Sequence, residues 1–273
     1  MGISAVDFDY LRKLMRDQTA IVLDSGKEYI AESRLAQLVY QEGFESIQDL
    51  VQHLRSQSFD KLHRRVVNAM MNNETWFFRD LLPFEALRKS ILPELMAARA
   101  SEKTLRIWSA ACSVGQEPYS VVMMIREHFP ELRNWNVRLL ATDVSTGALE
   151  KAMAGRYSQL EVNRGLPITL LTRYFNRAGV DWVLSEDIRR CVEFKQMNLA
   201  EAWPLMPPMD IVFLRNVLIY FEVPIKKEIL CRLRRQLRPD AYMFLGSAET
   251  TLNLDDSFDR VQYETTAFYR PRI

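Results

Sequence analysis

At 273 residues, 48% of them hydrophobic, the chain can bury a sizeable core in one large domain or two smaller ones. Its 36 basic and 35 acidic residues leave a formal net charge of +1, which argues against bulk nucleic-acid binding. No stretch approaches the ~20 apolar residues of a membrane span, the amino terminus lacks the basic and apolar blocks of a secretion signal, and Cys112, Cys191 and Cys231 are scattered without a CxxC pair, so a cytoplasmic protein with no metal site is expected.

Residues 1–72 read as helices only. Asp7–Asp17 places Phe8, Leu11, Leu14 and Met15 on one face, and Ser33–Gln41 repeats the spacing with Leu35, Leu38 and Val39. Ser46–Leu54 opens on a serine cap. Phe59–Met71 adds a helix whose Lys61, Arg64 and Arg65 form either a solvated face or a partner-binding one. His53, His63 and His128 sit in polar-flanked helical stretches and read as surface residues. Residues 73–83 break the pattern and read as an interdomain linker: Asn72-Asn73 favours a turn, and Trp76, Phe77 and Phe78 cannot all enter one core.

From residue 84 to 273 the pattern is α/β. Pro83 falls in the first turn of a helix running towards Arg88. Strand Leu105–Ser109, helix Tyr119–His128, strand Val137–Thr142 and helix Thr146–Ala154 then alternate, which implies right-handed βαβ units and a parallel sheet. Residues from about 165 to 195 interrupt this rhythm. Asp181–Leu184 and Ile188–Phe194 look like short strands of a small antiparallel insertion. Met209–Leu214 resumes the sheet, helix Val223–Leu237 follows, and Arg238–Asp240 reads as a turn into strand Ala241–Leu245. Phe258–Tyr269 closes the chain as a strand or hairpin.

Three polar strand tips stand out: Ser109–Gly115, Ala141–Asp143 and Arg215–Asn216. An open α/β sheet binds its ligand at such carboxyl ends. The small residues of the first turn let a ligand lie against the backbone ahead of a helix N-terminus, although a plain strand-to-helix turn looks the same. Its single glycine does not make the GxGxxG of a dinucleotide site. Asp143 reads as a ribose-binding acid or as a helix cap. Glu117 reads as a ligand-binding acid or as one favoured electrostatically in a first helical turn.

Five motifs occur in order: Asn73-x-Thr75-x-Phe77-Phe78-Arg79, Ala110-Ala-Cys-Ser-x-Gly115-x-Glu117-Pro-Tyr-Ser120, Ala141-Thr142-Asp143, Asn198-Leu199 and Arg215-Asn216-Val-Leu-Ile-Tyr220-Phe221. Together they resemble the CheR-type chemoreceptor glutamate methyltransferases over nearly the whole chain. The resemblance implies a Rossmann-like, S-adenosylmethionine-dependent methyltransferase fold. That fold is a mixed sheet with a small inserted antiparallel β-subdomain, preceded by an all-α N-terminal domain that recognises the receptor.

The implied cofactor is S-adenosylmethionine, the product S-adenosylhomocysteine, and no metal takes part. By the same resemblance Asp143 would bind the ribose diol and Asn198 and Leu199 the adenine. Glu117 would hold the methionine ammonium or the adjoining ribose, and Arg215 and Asn216 would line the methionine portion. Asn73, Thr75 and Arg79 would reach in from the linker, with Arg79 and Tyr220 flanking the transferred methyl. Trp76, Phe77 and Phe78 would wall the site dry or serve only as interdomain packing.

The partner implied is the helical cytoplasmic domain of a chemoreceptor, met by a monomeric enzyme without membrane insertion. The turn Asn176–Val180 carries no peptide-binding signature, which shifts recognition to Arg34, Lys61, Arg64 and Arg65. Pro207 and Pro208 precede a strand rather than follow it, so they are not the Asp-Pro-Pro-Tyr loop of amino-methylating enzymes. A non-catalytic S-adenosylmethionine-binding signalling adaptor is the alternative, and a nicotinamide dehydrogenase is disfavoured by the missing glycines.

Overall fold

The computed structural model describes residues 2–272, which form two compact units. One runs to Asn72 and also takes in Tyr220–Ile225; the other holds Asn73–Ile219 and the chain from Lys226 onward. No helix among the described residues is long and apolar enough to cross a membrane.

The first unit packs α1 (Ala5–Thr19), α2 (Glu28–Gln41), α3 (Ile47–Ser56) and α4 (Lys61–Met70). Ser4, Ser46 and Asp60 cap α1, α3 and α4 by accepting otherwise unpaired backbone N–H groups. Phe8, Leu11, Met15, Leu35, Leu50, Val51 and Val66 are buried, each such side chain contributing about 1.5–3 kcal/mol. The surface expectation fails for His63, which is 3% exposed. Its ring lies 2.8 Å from Asp60 Oδ1 and 3.0 Å from the Leu54 carbonyl, partners that let a polar ring enter the core. Of the four cations expected to serve recognition, Arg34 is half-buried and donates to the Met70 carbonyl at 2.5 Å, and Arg65 pairs with Glu42. Lys61 and Arg64 are exposed.

The second unit opens with α5 (Leu82–Ala86) and α6 (Leu92–Ala98), joined by a π-helical turn. Its main strands are β1 (Thr104–Ala110), β2 (Asn136–Asp143), β6 (Val192–Gln196), β7 (Met209–Leu214), β8 (Leu237–Leu245), β9 (Phe258–Tyr263) and β10 (Thr266–Pro271). They lie in the order β6-β2-β1-β7-β8-β10-β9. The first five are parallel, and the β9–β10 hairpin closes the sheet with β10 antiparallel to β8. Succession runs outward from β1 in both directions, so a switch point falls at its carboxyl end. Helices α7 (Gln116–His128), α8 (Thr146–Ala154) and α12 (Val223–Gln236) connect the strands. Every residue of β7 is buried, which is why its sequence reads as a nearly continuous apolar run.

Three expectations need correction. The small antiparallel sheet holds β3 (Arg156–Ser158), β5 (Asp181–Leu184) and β4 (Phe175–Ala178), interspersed with short helices α9 (Gln159–Asn163) and α10 (Ile168–Tyr174). The insertion therefore begins near Arg156, before residue 165. The segment read as a strand from Ile188 divides: Ile188 lies in α11 (Glu186–Arg189), and β6 is the edge strand of the main sheet, parallel to β2. A three-residue strand such as β3 is too short to show a period of two, so the sequence pattern hid it. Arg238–Asp240 is likewise not a turn but a stretch of β8. Met209 pairs with Leu237 whereas Ile211 pairs with Tyr242, so the extra residues bulge.

Candidate functional site

The tip of β1 turns through Ala111, Ser113 and Gly115, all at positive φ (59°, 52° and 86°). A Cβ on Gly115 would come within 2.9 Å of the Ala152 Cβ on α8, so glycine answers to a close helix as well as to its φ. Gly115→Ala should therefore destabilise the α/β unit by about 1–3 kcal/mol, seen as a lowered thermal midpoint.

The next tip holds this turn in place. Asp143 Oδ2 accepts the Ser113 N–H at 2.8 Å and Oδ1 the Ser145 N–H at 2.9 Å. Ser145, not Asp143, caps α8, which removes the capping alternative for the acid. A carboxylate has about four acceptor positions, so Asp143 keeps capacity for further donors. Burial is the main influence on this group and pushes its carboxyl above the usual range, against the pull of the N–H bonds. A raised carboxyl pKa favours the folded state as pH falls through it, while the ionised acceptor is lost. Ligand affinity that depends on Asp143 should thus decline on acidification without destabilisation from this group, as calorimetry across pH will show.

Arg215, at the tip of β7, has a side chain only 2% exposed. It donates to Glu117 Oε2 at 2.8 Å, to Asp80 Oδ2 at 2.9 Å and to the Arg79 carbonyl at 2.9 Å. Glu117 Oε1 accepts from Ser109 Oγ at 2.8 Å. The Asp80–Arg215–Glu117 triad thus carries a formal charge of −1. Asn216 follows in the left-handed region at φ 57°.

The 73–80 segment meets these tips. The Asn73 carbonyl accepts from Ser113 Oγ at 3.0 Å, and the Phe78 N–H donates to Ser120 Oγ at 2.9 Å. Phe77 is fully buried, its ring 5.0 Å from that of Tyr157 and 5.6 Å from that of Phe175. It is core packing, which decides for Phe77 between the two readings against the site wall. Trp76 lies under the guanidinium groups of Arg79 (4.3 Å) and Arg164 (3.8 Å). Arg79 also donates to the Glu74 carbonyl.

After β6, Asn198 Oδ1 accepts the Ala200 N–H at 3.0 Å. Leu199 is buried, and its carbonyl accepts from Trp203 Nε1 at 3.1 Å. Thr75 is half-buried on the 73–80 segment. Hydrogen bonds thus link Asn73, Ser113 and Asp143 in one chain and Arg79, Arg215 and Glu117 in another, while Asn198 and Leu199 occupy a separate tip. Tyr220 groups with the helical unit, where its carbonyl accepts from Val22 N–H at 2.9 Å and its hydroxyl from Asn72 Nδ2 at 2.7 Å.

Residues 73–267 match the family described as CheR methyltransferase, SAM binding domain, and residues 6–71 match the CheR methyltransferase all-alpha domain. The chain belongs to the CheR methyltransferase family. It is 42% identical to Chemotaxis protein methyltransferase 1 of Pseudomonas aeruginosa, over 100% of both chains. It is 38% identical to Chemotaxis protein methyltransferase Cher2 of Pseudomonas putida, again over 100% of each, and 36% identical to the Chemotaxis protein methyltransferase of Vibrio parahaemolyticus, over 98% of each.

The polar inventory of this CheR-family methyltransferase fits a compact, many-armed polar cofactor. Gln116 is 1% exposed, yet its Oε1 and Nε2 have no partner within the chain; Arg79 Nε and Arg215 Nε are buried and unpartnered too. Buried polar groups ordinarily find a partner, and these atoms find none within the chain. Sequence reasoning gave no individual role to Gln116, Asp80 or Ser113. Gln116 had a signal, a polar residue at the first helical position after Gly115. Asp80 had none beyond adjoining Arg79.

Proposed function

We propose that this methyltransferase transfers the methyl group of S-adenosylmethionine to glutamate side chains of chemoreceptors, forming glutamyl methyl esters and S-adenosylhomocysteine. The observation behind this reading is the acidic tip set, Asp143 beside the Asp80–Arg215–Glu117 triad, in a chain that matches the CheR family along its length.

S-adenosylmethionine supplies a methyl group activated on a sulfonium. In the chain, Asp143 would accept from the ribose hydroxyls with its spare capacity, and Asn198 and Leu199 would meet the adenine. The net negative triad would draw the methionine ammonium to Glu117. Asn73, Thr75 and Asn216 would line the remainder of the methionine portion, and Arg215 would brace Glu117 from behind. Arg79 and Tyr220 would flank the reacting centre, with Arg79 orienting the incoming carboxylate.

A glutamate has an ordinary pKa of about 4.3 and is already nucleophilic at neutral pH, so no general base is required. In-line positioning then accounts for the catalysis, worth about 7–11 kcal/mol in favourable cases. Excluding water helps further, because opposite charges partly cancel on the way to the products; Trp76 and Phe78 suit that wall.

Residues 1–72 are assigned to receptor recognition, with Lys61 and Arg64 meeting acidic receptor helices in the cytoplasm. Residues 73–83 act as the linker that contributes to the site, and 84–273 as the methyltransferase domain. Neutralising receptor carboxylates relieves repulsion between neighbouring helices, a physical route to sensory adaptation.

Incubating the protein with S-adenosylmethionine and a receptor cytoplasmic fragment, then mapping modified peptides by mass spectrometry, tests the function. Methylation confined to glutamates is expected. Arg79→Ala should cut kcat by about two orders of magnitude while the circular dichroism stays unchanged, as expected when an orienting group is lost. Binding of S-adenosylhomocysteine with no transfer to any receptor fragment would favour the adaptor instead.

A further inference from the structure

Glu249 lies just beyond the carboxyl end of β8, the strand beside β7, and no role above uses it. Its Oε2 accepts the N–H groups of Gly246 and Asn216, both at 2.7 Å. Its Oε1 accepts those of Val217 at 2.8 Å and Ile219 at 3.3 Å. Four N–H donors fill the acceptor capacity of one carboxylate. Three of them belong to the loop that leaves the tip of β7 and runs into Tyr220.

Asn216 turns the loop through the left-handed region at φ 57°, which asparagine accepts at small cost. Gly246 supplies the approach: a Cβ there would lie 2.6 Å from Asn216 Nδ2 and 2.8 Å from its backbone nitrogen. The β7 and β8 tips therefore touch closely, with the Glu249 carboxylate gathering the N–H groups between them.

We infer that Glu249 is a positioning residue for methyl transfer: it fixes the Asn216–Ile219 backbone and so sets the orientation of Arg215 and Asn216 at the tip of β7. The inference rests on the function proposed above. Glu249 contacts neither cofactor nor acceptor and acts through the N–H groups it holds. In Glu249→Gln the amide keeps the shape but turns a donor towards two of the four N–H groups. In Glu249→Ala all four lose their acceptor.

The test measures S-adenosylhomocysteine affinity, kcat, KM for a receptor fragment, and thermal midpoint for wild type, Glu249→Gln and Glu249→Ala, with and without added sodium formate. A cavity of about 380 Å³ lined by Gly246, Glu249, Thr250, Arg260 and Tyr269 gives a small carboxylate room to enter. Glu249→Gln should lose about tenfold to a hundredfold in both S-adenosylhomocysteine affinity and kcat, as expected for broken charge-assisted hydrogen bonds. KM for the fragment should be unchanged and the midpoint nearly so. Formate should restore part of the activity of Glu249→Ala and none of that of Glu249→Gln. Wild-type affinity and kcat in both variants overturn the inference, and so do losses that accompany unfolding and resist formate. Failure of the wild-type protein itself to bind S-adenosylhomocysteine would instead overturn the underlying function.

Discussion

Asp143→Ala should weaken S-adenosylhomocysteine binding about 10²–10⁴-fold while leaving the protein folded. The size follows from two hydrogen bonds to a buried charge at about 1.5–3 kcal/mol each, with 1.4 kcal/mol per decade. The carboxylate is already held by the Ser113 and Ser145 N–H groups, so binding a ribose there would cost the protein little further ordering. Asp143→Asn should fall between wild type and alanine, because its amide group opposes one of those two donors. Titration calorimetry reads both variants. Affinity within threefold of wild type for Asp143→Ala would remove the acid from the cofactor site.

At the opposite end of the same strands, Asp210→Ala should destabilise the α/β unit by about 3–5 kcal/mol and lower the melting midpoint by roughly 6–20 °C. Asp210 is fully buried on β7. It accepts from Arg99 Nε at 3.0 Å and from the Arg106 N–H at 2.8 Å, while Arg99 makes two further bonds to Asp240, at 2.8 and 2.6 Å. These carboxylates raise the pKa of Arg99, so the guanidinium stays charged in a buried setting and loses much when a partner is deleted. Arg99 in turn lowers the Asp240 carboxyl. A lowered carboxyl pKa contributes stability above its ordinary value near 3.9 and loses it as pH falls through the lowered one, so the clasp should loosen in strong acid. Because the clasp sits at the amino ends of the strands, Asp210→Ala should leave S-adenosylhomocysteine affinity unchanged at low temperature. Thermal melts and calorimetry on the two alanine variants should therefore give reciprocal results.

Asp210 also shows where sequence reading stops. Within Met209–Leu214 it is one polar letter in an apolar strand, and its partners stand about 30 and 100 residues away. Nothing local predicts them. Helical periodicity and apolar runs, by contrast, are local, and they place α8 at Thr146–Ala154 and β7 at Met209–Leu214 to the residue. Of the β insertion only β5 at Asp181–Leu184 is legible; β3 and β4 are three and four residues long and pair antiparallel with β5 across sequence gaps.

The site divides in the same way. The tips of β1, β2 and β7 could be found because open α/β sheets place ligands there. Glu117 could be found but not its tie to Arg215, and for Phe77 wall and packing stay open because aromatic residues in a row do not reveal which one turns inward. Glu249 sits at a strand end by the same rule, and only the four N–H groups converging on it mark it out.

The acceptor chemistry is tested most directly by transferring labelled methyl groups from S-adenosylmethionine to a chemoreceptor cytoplasmic fragment and then treating the product with mild base. Carboxyl methylation predicts that the label leaves the protein as volatile methanol. Label that survives base on the fragment, as an N-methyl group does, would contradict glutamate esterification.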